Sequence, residues 1–537
     1  MALLALVSCN KVSNMADLAD LVKVECNPEV LEVIADNIDA DVTVTFPEKY
    51  FHKKAILEVT PVMKFDRQEV AGEPFVYQGE KVTENFKTVG VDGASITEHV
   101  HFPFVKGMEK SELVGRAVVK YKKKSWAFPE DIKIADGANT TYMLARKSGA
   151  YAPAADGYQE VIPEEVEAQI LYLINSANVR SNQLTSESIK EYKDGVKDVM
   201  KDSRRTITGT DIIAYASPDG PQRRNEVLSS EREKSAKNAF KQVSKKLETG
   251  GVSTQSIGED WEGFKELVSN SNIEDKDLIL RVLSMYSDPD VREREIKNMS
   301  SVYGTLAKDV LPELRRARFI TNVEFQNYTP EELKQLVEEN INVLDEEALL
   351  RSATLTDDDA TKLDIYRHAI NKYDSDRAKL NTACIYLDEG KEEKAEAILK
   401  KVSDKTIEGL SNLRGVLALR NGDLRNAAEF FAKGEDASSK ANVGTLDILN
   451  GNYAAAVKKL AGTGDVNEPL AYILNGDLAK AASLLKDDKS ELAAYERAII
   501  AARQGKAAAA KAELAKIKES AELLKKAVDD IEFAKIK

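Results

Sequence analysis

Cysteine, histidine and tryptophan are all scarce in this chain of 537 residues, at three, four and two. Three cysteines, Cys9, Cys26 and Cys384, exclude a disulfide framework and leave no close pair with zinc-ligand spacing. The four histidines are His52, His99, His101 and His368, and no serine or cysteine nucleophile motif accompanies any of them. A phosphate-cradling glycine loop is also missing. An enzyme is therefore the class these residues argue against, and no catalytic residue, cofactor or metal site is expected. Basic charge is in deficit as well: the formal net charge of −14 lacks the concentrated Lys and Arg of a nucleic-acid footprint. The apolar run at the N-terminus is far short of the roughly 20 residues that a membrane-crossing helix takes.

What is present suffices for several cores. Hydrophobic residues make up 43% and charged residues 31%, ordinary for globular chains, and the length suggests three or four domains. Residues 20–145 carry strand signals: Asp41–Phe46, Ala55–Val62, Phe75–Gly79, Ala94–Phe104 and Arg116–Tyr121 are rich in β-branched residues, with Pro and Gly between them. That rhythm predicts an immunoglobulin-like β-sandwich. His99 and His101 share one strand face, a spacing that suits metal, but two ligands are not a site. Lys120–Lys124 is read as a solvated edge that blocks sheet-to-sheet association. Residues 146–165, with Ser148–Gly157 rich in turn formers, are read as a linker.

Ala214-Tyr-Ala-Ser-Pro-Asp-Gly220 followed by Asn225-Glu-Val-Leu-Ser-Ser-Glu-Arg232 predicts a strand from Ile207 to Ala216, a turn, and a helix from Asn225. Leu228, Arg232, Ala236, Phe240, Val243 and Leu247 recur at helical spacing, which places Arg232 at the N-terminal end of the buried stripe. This stretch resembles the peptidoglycan-binding OmpA-like domain, an α/β fold, and the resemblance spans 166–327. It implies that Ser217, Asp219, Asn225 and Arg232 stand at the site that grips a cell-wall peptide. Asn225, Leu228, Ser229 and Arg232 match the family's helix opening, whereas Ser217 stands where the family has an aspartate, and Glu233 replaces its usual alanine. The carboxylate that would meet the diaminopimelate amine is thus missing, with Asp219 two residues along. Two outcomes stay open: retained wall binding, or a fold kept for packing or for another partner. Ile170–Ile174 reads as the first strand, Ser186–Met200 as a helix capped by Thr185 or Ser186, and Leu314–Phe325 as the closing strand. Residues 248–312, with Trp261 and Phe264, are read as a helical insertion.

From 328 the chain reads as helical to its end, with Thr329 capping and Pro330 at the first position. Turns with glycines at 390, 422, 451, 476 and 505 join amphipathic helix pairs, and alanines follow each turn. Residues 328–537 resemble a tetratricopeptide-like solenoid, with glycine spacings shorter than that family's repeat. Asp357-Asp-Asp359 reads as helix-start charge rather than a calcium loop.

The N-terminal run Met1-Ala-Leu-Leu-Ala-Leu-Val-Ser-Cys9 resembles a lipoprotein lipobox, with Cys9 the lipidated residue and 1–19 the signal remnant and tether. Cys26 and Cys384 are then expected as free thiols. The whole resembles outer-membrane lipoproteins of the Bacteroidota: a β-sandwich, an OmpA-like domain with a helical insertion, and helical repeats. The resemblance implies a non-catalytic scaffold or assembly factor, lipid-anchored in the outer membrane and facing periplasm or surface. Its expected partners are other envelope proteins, held by the repeats and the sandwich. The alternative is a protein linking that membrane to peptidoglycan.

Overall fold

A computed structural model describes Val12 and residues 14–273 and 275–536; Cys9 lies outside the described residues. The chain forms two compact units, one from the residues up to Ala155 together with those from Ile370 onward, the other from Asp156–Ala369. In sequence the second unit is inserted into the first.

The first unit begins β-rich. Along Asn37–Phe46 every second side chain is buried, from Ile38 to Phe46, the period-two pattern of a strand with one covered face. Ala94–Pro103 pairs antiparallel with its whole length, and Ile56–Phe65 lies between Ser111–Tyr121 and Phe75–Gly79. Of the basic run, Lys122 and Lys123 form the turn into the strand Lys124–Ala127, and Lys120 pairs with Glu58 at 2.6 Å. His99 and His101 share a face, as their spacing predicts, and both bond to Asp39 Oδ1, at 3.2 and 2.8 Å. No group of three or more His, Cys, Asp or Glu side chains among the described residues is arranged to hold a metal.

The same unit continues with five helix pairs, whose first helices are Asp376–Asp388, Leu410–Arg420, Ala437–Leu449, Glu468–Leu474 and Glu491–Arg503, and a further helix, Ala521–Asp529, follows them. Each second helix turns a fully buried alanine to its partner: Ala395, Ala427, Ala456, Ala481 and Ala510. With only a methyl group at that position, the two backbones approach closely. Strands and helices share one apolar core, in which Leu31, Phe102 and Tyr142 join Leu446, Tyr495 and Phe533 in a single cluster. Glu532 ties the two halves, accepting from Asn139 Nδ2 at 2.9 Å and Thr141 Oγ1 at 2.8 Å. At Gly451, φ is +78° and an added Cβ would sit 2.4 Å from Ile34 of the strand region, so both conformation and space require glycine. Cys26 and Cys384 are unbridged, and burial pushes the Cys384 thiol up to about 12.

The second unit is built on a four-stranded sheet in the order Val161–Leu171, Arg316–Gln326, Arg205–Ala216, Gly251–Glu259. Helices Glu187–Lys201 and Gln222–Val243 pack against it through Tyr192, Val196, Ala236 and Phe240, over Ile170, Ile212 and Phe319. Ser186, not Thr185, caps the first helix. The segment expected to be a helical insertion from 248 is strand in its first part. Gly251–Glu259 pairs parallel with Arg205–Ala216; its inward residues Thr254, Ser256 and Gly258 have too little apolar content to show a period in the sequence. Helices follow from Trp261 to Asp309 around their own core of Phe264, Ile279, Leu306 and Leu314. Thr329 and Glu332 form a reciprocal cap on Pro330–Asn340, and Asp358 accepts from Thr361 N at the start of the helix Asp359–Tyr373. The helices up to Ala369 belong to this unit, so the helical region that starts at 328 is divided between the two units. No helix among the described residues is long and apolar enough to cross a membrane.

Candidate functional site

Two places concentrate polar chemistry, one in each unit. In the inserted unit, the strand Arg205–Ala216 delivers the turn at 217–220, and the helix Gln222–Val243 returns Asn225 and Arg232 beneath it. The structure brings all four expected residues together. Ser217 donates to Asp219 Oδ1 at 2.6 Å, and Asn225 Nδ2 lies 3.2 Å from Ser217 O and 2.9 Å from Gly220 O, holding the turn to the helix start. Arg232 is fully buried. Its guanidinium donates to three backbone carbonyls, Ser176 at 3.0 Å, Tyr215 at 2.9 Å and Leu173 at 3.2 Å, and lies 5.0 Å from the Tyr172 ring centroid. Desolvation holds its pKa down at about 10, so it stays charged at neutral pH.

The carboxylate of Asp219 has its own cation. Arg315, one residue before the closing strand, donates to Asp219 Oδ2 at 2.9 Å and contacts Ser217 Oγ at 3.3 Å. Asn225 also reaches Glu259 Oε1 at 2.9 Å; burial raises that carboxyl, opposed by donation from Asn225 and Trp261. Ser217, Asp219 and Asn225 therefore form an internally bonded turn, and Arg232 is spent on the main chain beneath it. Arg315 was hidden from the sequence because it falls in a run of basic residues that reads as a strand start.

The second place lies in the first unit and involves residues 146–155, expected as a linker. They run as a strap along the first helices of the pairs, against the order of the repeats. Asn467 Oδ1 accepts from Arg146 N at 2.7 Å while its Nδ2 donates to Arg146 O at 2.9 Å. Asn442 does the same at Ala150, at 2.7 and 2.8 Å, with Asn412 donating to the same carbonyl at 2.9 Å. Asn381 repeats it at Ala154, at 2.7 and 3.2 Å. One asparagine thus reads both main-chain groups of every fourth strap residue. Arg420 donates to Ser148 O at 2.8 Å, and the Tyr151 hydroxyl donates to Asp388 at 2.5 Å. Gly149 has φ +74° and lies so close to Val416 that a Cβ would stand 2.7 Å from Cγ2.

These asparagines were missed, although the sequence carries a signal. Three stand nine positions before a turn glycine: 381 before 390, 442 before 451, 467 before 476. The same offset before Gly505 gives Glu496, whose Oε1 is buried with no hydrogen-bond partner among the described residues. Burial pushes its carboxyl up to about 8, helped by Asp488 and opposed by Arg146 and Arg497. A carboxyl raised above its ordinary 4.5 stabilises the fold below that value, and this contribution is lost as pH rises through 8. Glu496→Gln should therefore raise the unfolding midpoint of this unit at pH 9, by the equivalent of about 1–3 kcal/mol, and leave it unchanged at pH 4. Thermal unfolding at the two pH values checks it; equal gains at both would show that ionisation of Glu496 is not the cause.

No protein-family model matches the chain, and no curated protein matches it.

Proposed function

We propose that the chain is a non-catalytic scaffold of the bacterial cell envelope, anchored in the outer membrane through lipidated Cys9 and holding protein partners through its repeats. In this reading the β-rich start is an immunoglobulin-like sandwich, the sheet of the inserted unit an OmpA-like domain, and the five helix pairs a tetratricopeptide-like array. The observation that carries the reading is the asparagine row. Three asparagines each hold an extended segment by both main-chain groups, at 2.7–3.2 Å, which is chemistry for binding polypeptide. The protein should fractionate with outer membranes and co-purify with envelope proteins after detergent extraction. Cys9→Ala should move it to the soluble fraction, since acyl chains contribute about 0.8 kcal/mol per buried methylene. An unchanged membrane fraction in Cys9→Ala would remove the anchor from the proposal.

The alternative, a protein that grips peptidoglycan, needs an arginine and a carboxylate open to the peptide stem. Arg232 is fully buried and Asp219 is paired with Arg315, which favours the scaffold reading. Calorimetry of the full chain with a diaminopimelate-containing peptide should give no heat of binding above the millimolar range, about −4 kcal/mol. Micromolar binding would reverse the preference.

A further inference from the structure

A cavity of about 170 Å³ lies between the helices Glu468–Leu474, Leu478–Leu484 and Glu491–Arg503, and no residue of the strap lines it. Four carboxylates do, Asp465, Glu468, Asp488 and Glu496, without a lysine or arginine among the lining side chains. Three of the four are held by main-chain N–H groups. Asp465 accepts from Asn467 at 2.8 Å, Asp488 from Ser490 at 2.7 Å, and Glu468 from Gly462 and Gly464 at 2.8 and 3.1 Å. Glu496 is different: it is 2% exposed, and its Oε1 has no hydrogen-bond partner among the described residues. A buried carboxyl without a donor or a cation is costly, so the chemistry of this cavity is incomplete. The arginine next to it in sequence is committed elsewhere, since Arg497 donates to Glu513 Oε2 and to the carbonyls of Leu485 and Asp488. Arg146 acts on Glu496 through space. The remaining walls are apolar, chiefly Leu484, Leu485, Leu492 and Pro469.

We propose that this cavity binds an alkylammonium group, brought by a free alkylamine or by a lysine side chain, with its carbons against the leucines and its cation on Glu496. Acid without base asks for a cation, and apolar walls ask for a stem, which is the division within a lysine side chain. At roughly 30 Å³ per water-sized group, the space takes about five heavy atoms, the size of a butylammonium ion. A metal ion fits less well, because no three His, Cys, Asp or Glu side chains among the described residues are arranged to hold one. Burial, helped by Asp488 and opposed by Arg146 and Arg497, pushes the Glu496 carboxyl up to about 8, and burial also raises that of Asp465. A bound ammonium favours the ionised form, so at pH 7 the ligand enters as a proton leaves Glu496. The proposal does not depend on the scaffold reading, since a free amine would occupy the cavity whatever the protein does.

The test is calorimetry of the full chain with n-butylammonium chloride and with an acetylated, amidated Gly-Lys-Gly peptide, using butan-1-ol and tetramethylammonium chloride as controls. The ionised fraction of Glu496 rises about tenfold between pH 7 and pH 9, and the affinity for butylammonium should rise with it. The ligand keeps its charge over that range, since an alkylammonium titrates near about 10.4. At pH 7, titrations in buffers of different ionisation heat should report release of a proton. Glu496→Gln should weaken binding about tenfold or more at pH 9 and remove the pH dependence. Ala493→Leu, which fills the cavity and keeps the carboxylate, should also abolish binding, and it serves if the first variant does not fold. Tighter binding of the peptide than of butylammonium assigns the site to a partner's lysine; binding of butylammonium with the peptide excluded assigns it to a free amine. The proposal is wrong if neither ligand binds at millimolar concentration at pH 9, if Glu496→Gln binds as well as the native chain, or if tetramethylammonium binds equally. None of those three results bears on co-purification of envelope proteins, which tests the scaffold separately.

Discussion

Arg232→Ala should destabilise the inserted unit by about 3–5 kcal/mol and leave the other unit unaffected. The guanidinium satisfies the carbonyls of Leu173, Ser176 and Tyr215, three groups from two separate segments, with no exposed surface of its own. Alanine would remove the guanidinium donor from all three, leaving Leu173 O with only Ser176 N, and open a void against Tyr172 and the helix. Arg232→Lys should fail almost as badly, because a single ammonium lacks the planar fork that reaches carbonyls in different directions. The two tryptophans make the measurement clean: Trp261 lies in the inserted unit and Trp126 in the other, so Trp126→Phe leaves one reporter. If urea midpoints for the Trp261 transition shift by less than about 0.5 kcal/mol, the arginine is a surface residue in solution.

Asn442→Leu should do comparable damage to the first unit. Asn442 is fully buried, receives Ala150 N, donates to Ala150 O and shares its second hydrogen with Asn412 Oδ1 at 2.9 Å. Leucine matches its volume and none of its bonds, and it leaves the strap N–H unpaired, at a cost of about 2–4 kcal/mol. The strap also carries its own reporter, since Arg146 and Lys147 are adjacent trypsin sites. Cleavage there proceeds from the opened form, so its rate should rise roughly tenfold or more in Asn442→Leu. Equal cleavage rates would mean that the asparagine row does not hold the strap.

Local periodicity made most individual elements legible. The strand ending at Ala216, the turn after it, the inward face of the Arg232 helix and the caps at Ser186 and Thr329 all follow from side chains within a few residues of one another. The partners of Arg232 were not readable, because they are main-chain oxygens that carry no residue identity. For the same reason 146–155 looks like a linker: it is held by its peptide groups, and its side chains are chosen mainly to be small. Gly251–Glu259 was lost to a different cause, an edge strand beside one neighbour with little apolar content to reveal a period of two. The row of asparagines lies in between. Its offset from the turn glycines is visible once the turns are aligned, yet each residue alone is an ordinary polar position in a helix.

The chain order of the two units has a consequence for synthesis. The inserted unit is one continuous stretch, Asp156–Ala369, and can complete its core as soon as it emerges. The β-rich start cannot, since Leu31, Phe102 and Tyr142 share a core with residues as distant as Phe533. Closing so long a loop costs little at equilibrium, about 0.6 kcal/mol for each doubling of its length. In time it costs the interval needed to make about 200 intervening residues and then the repeats, at 5–20 residues per second. For tens of seconds the newborn strands present an apolar face and open edges with nothing of their own to cover them, so truncations near the C-terminus should surface first as aggregation of the N-terminal half.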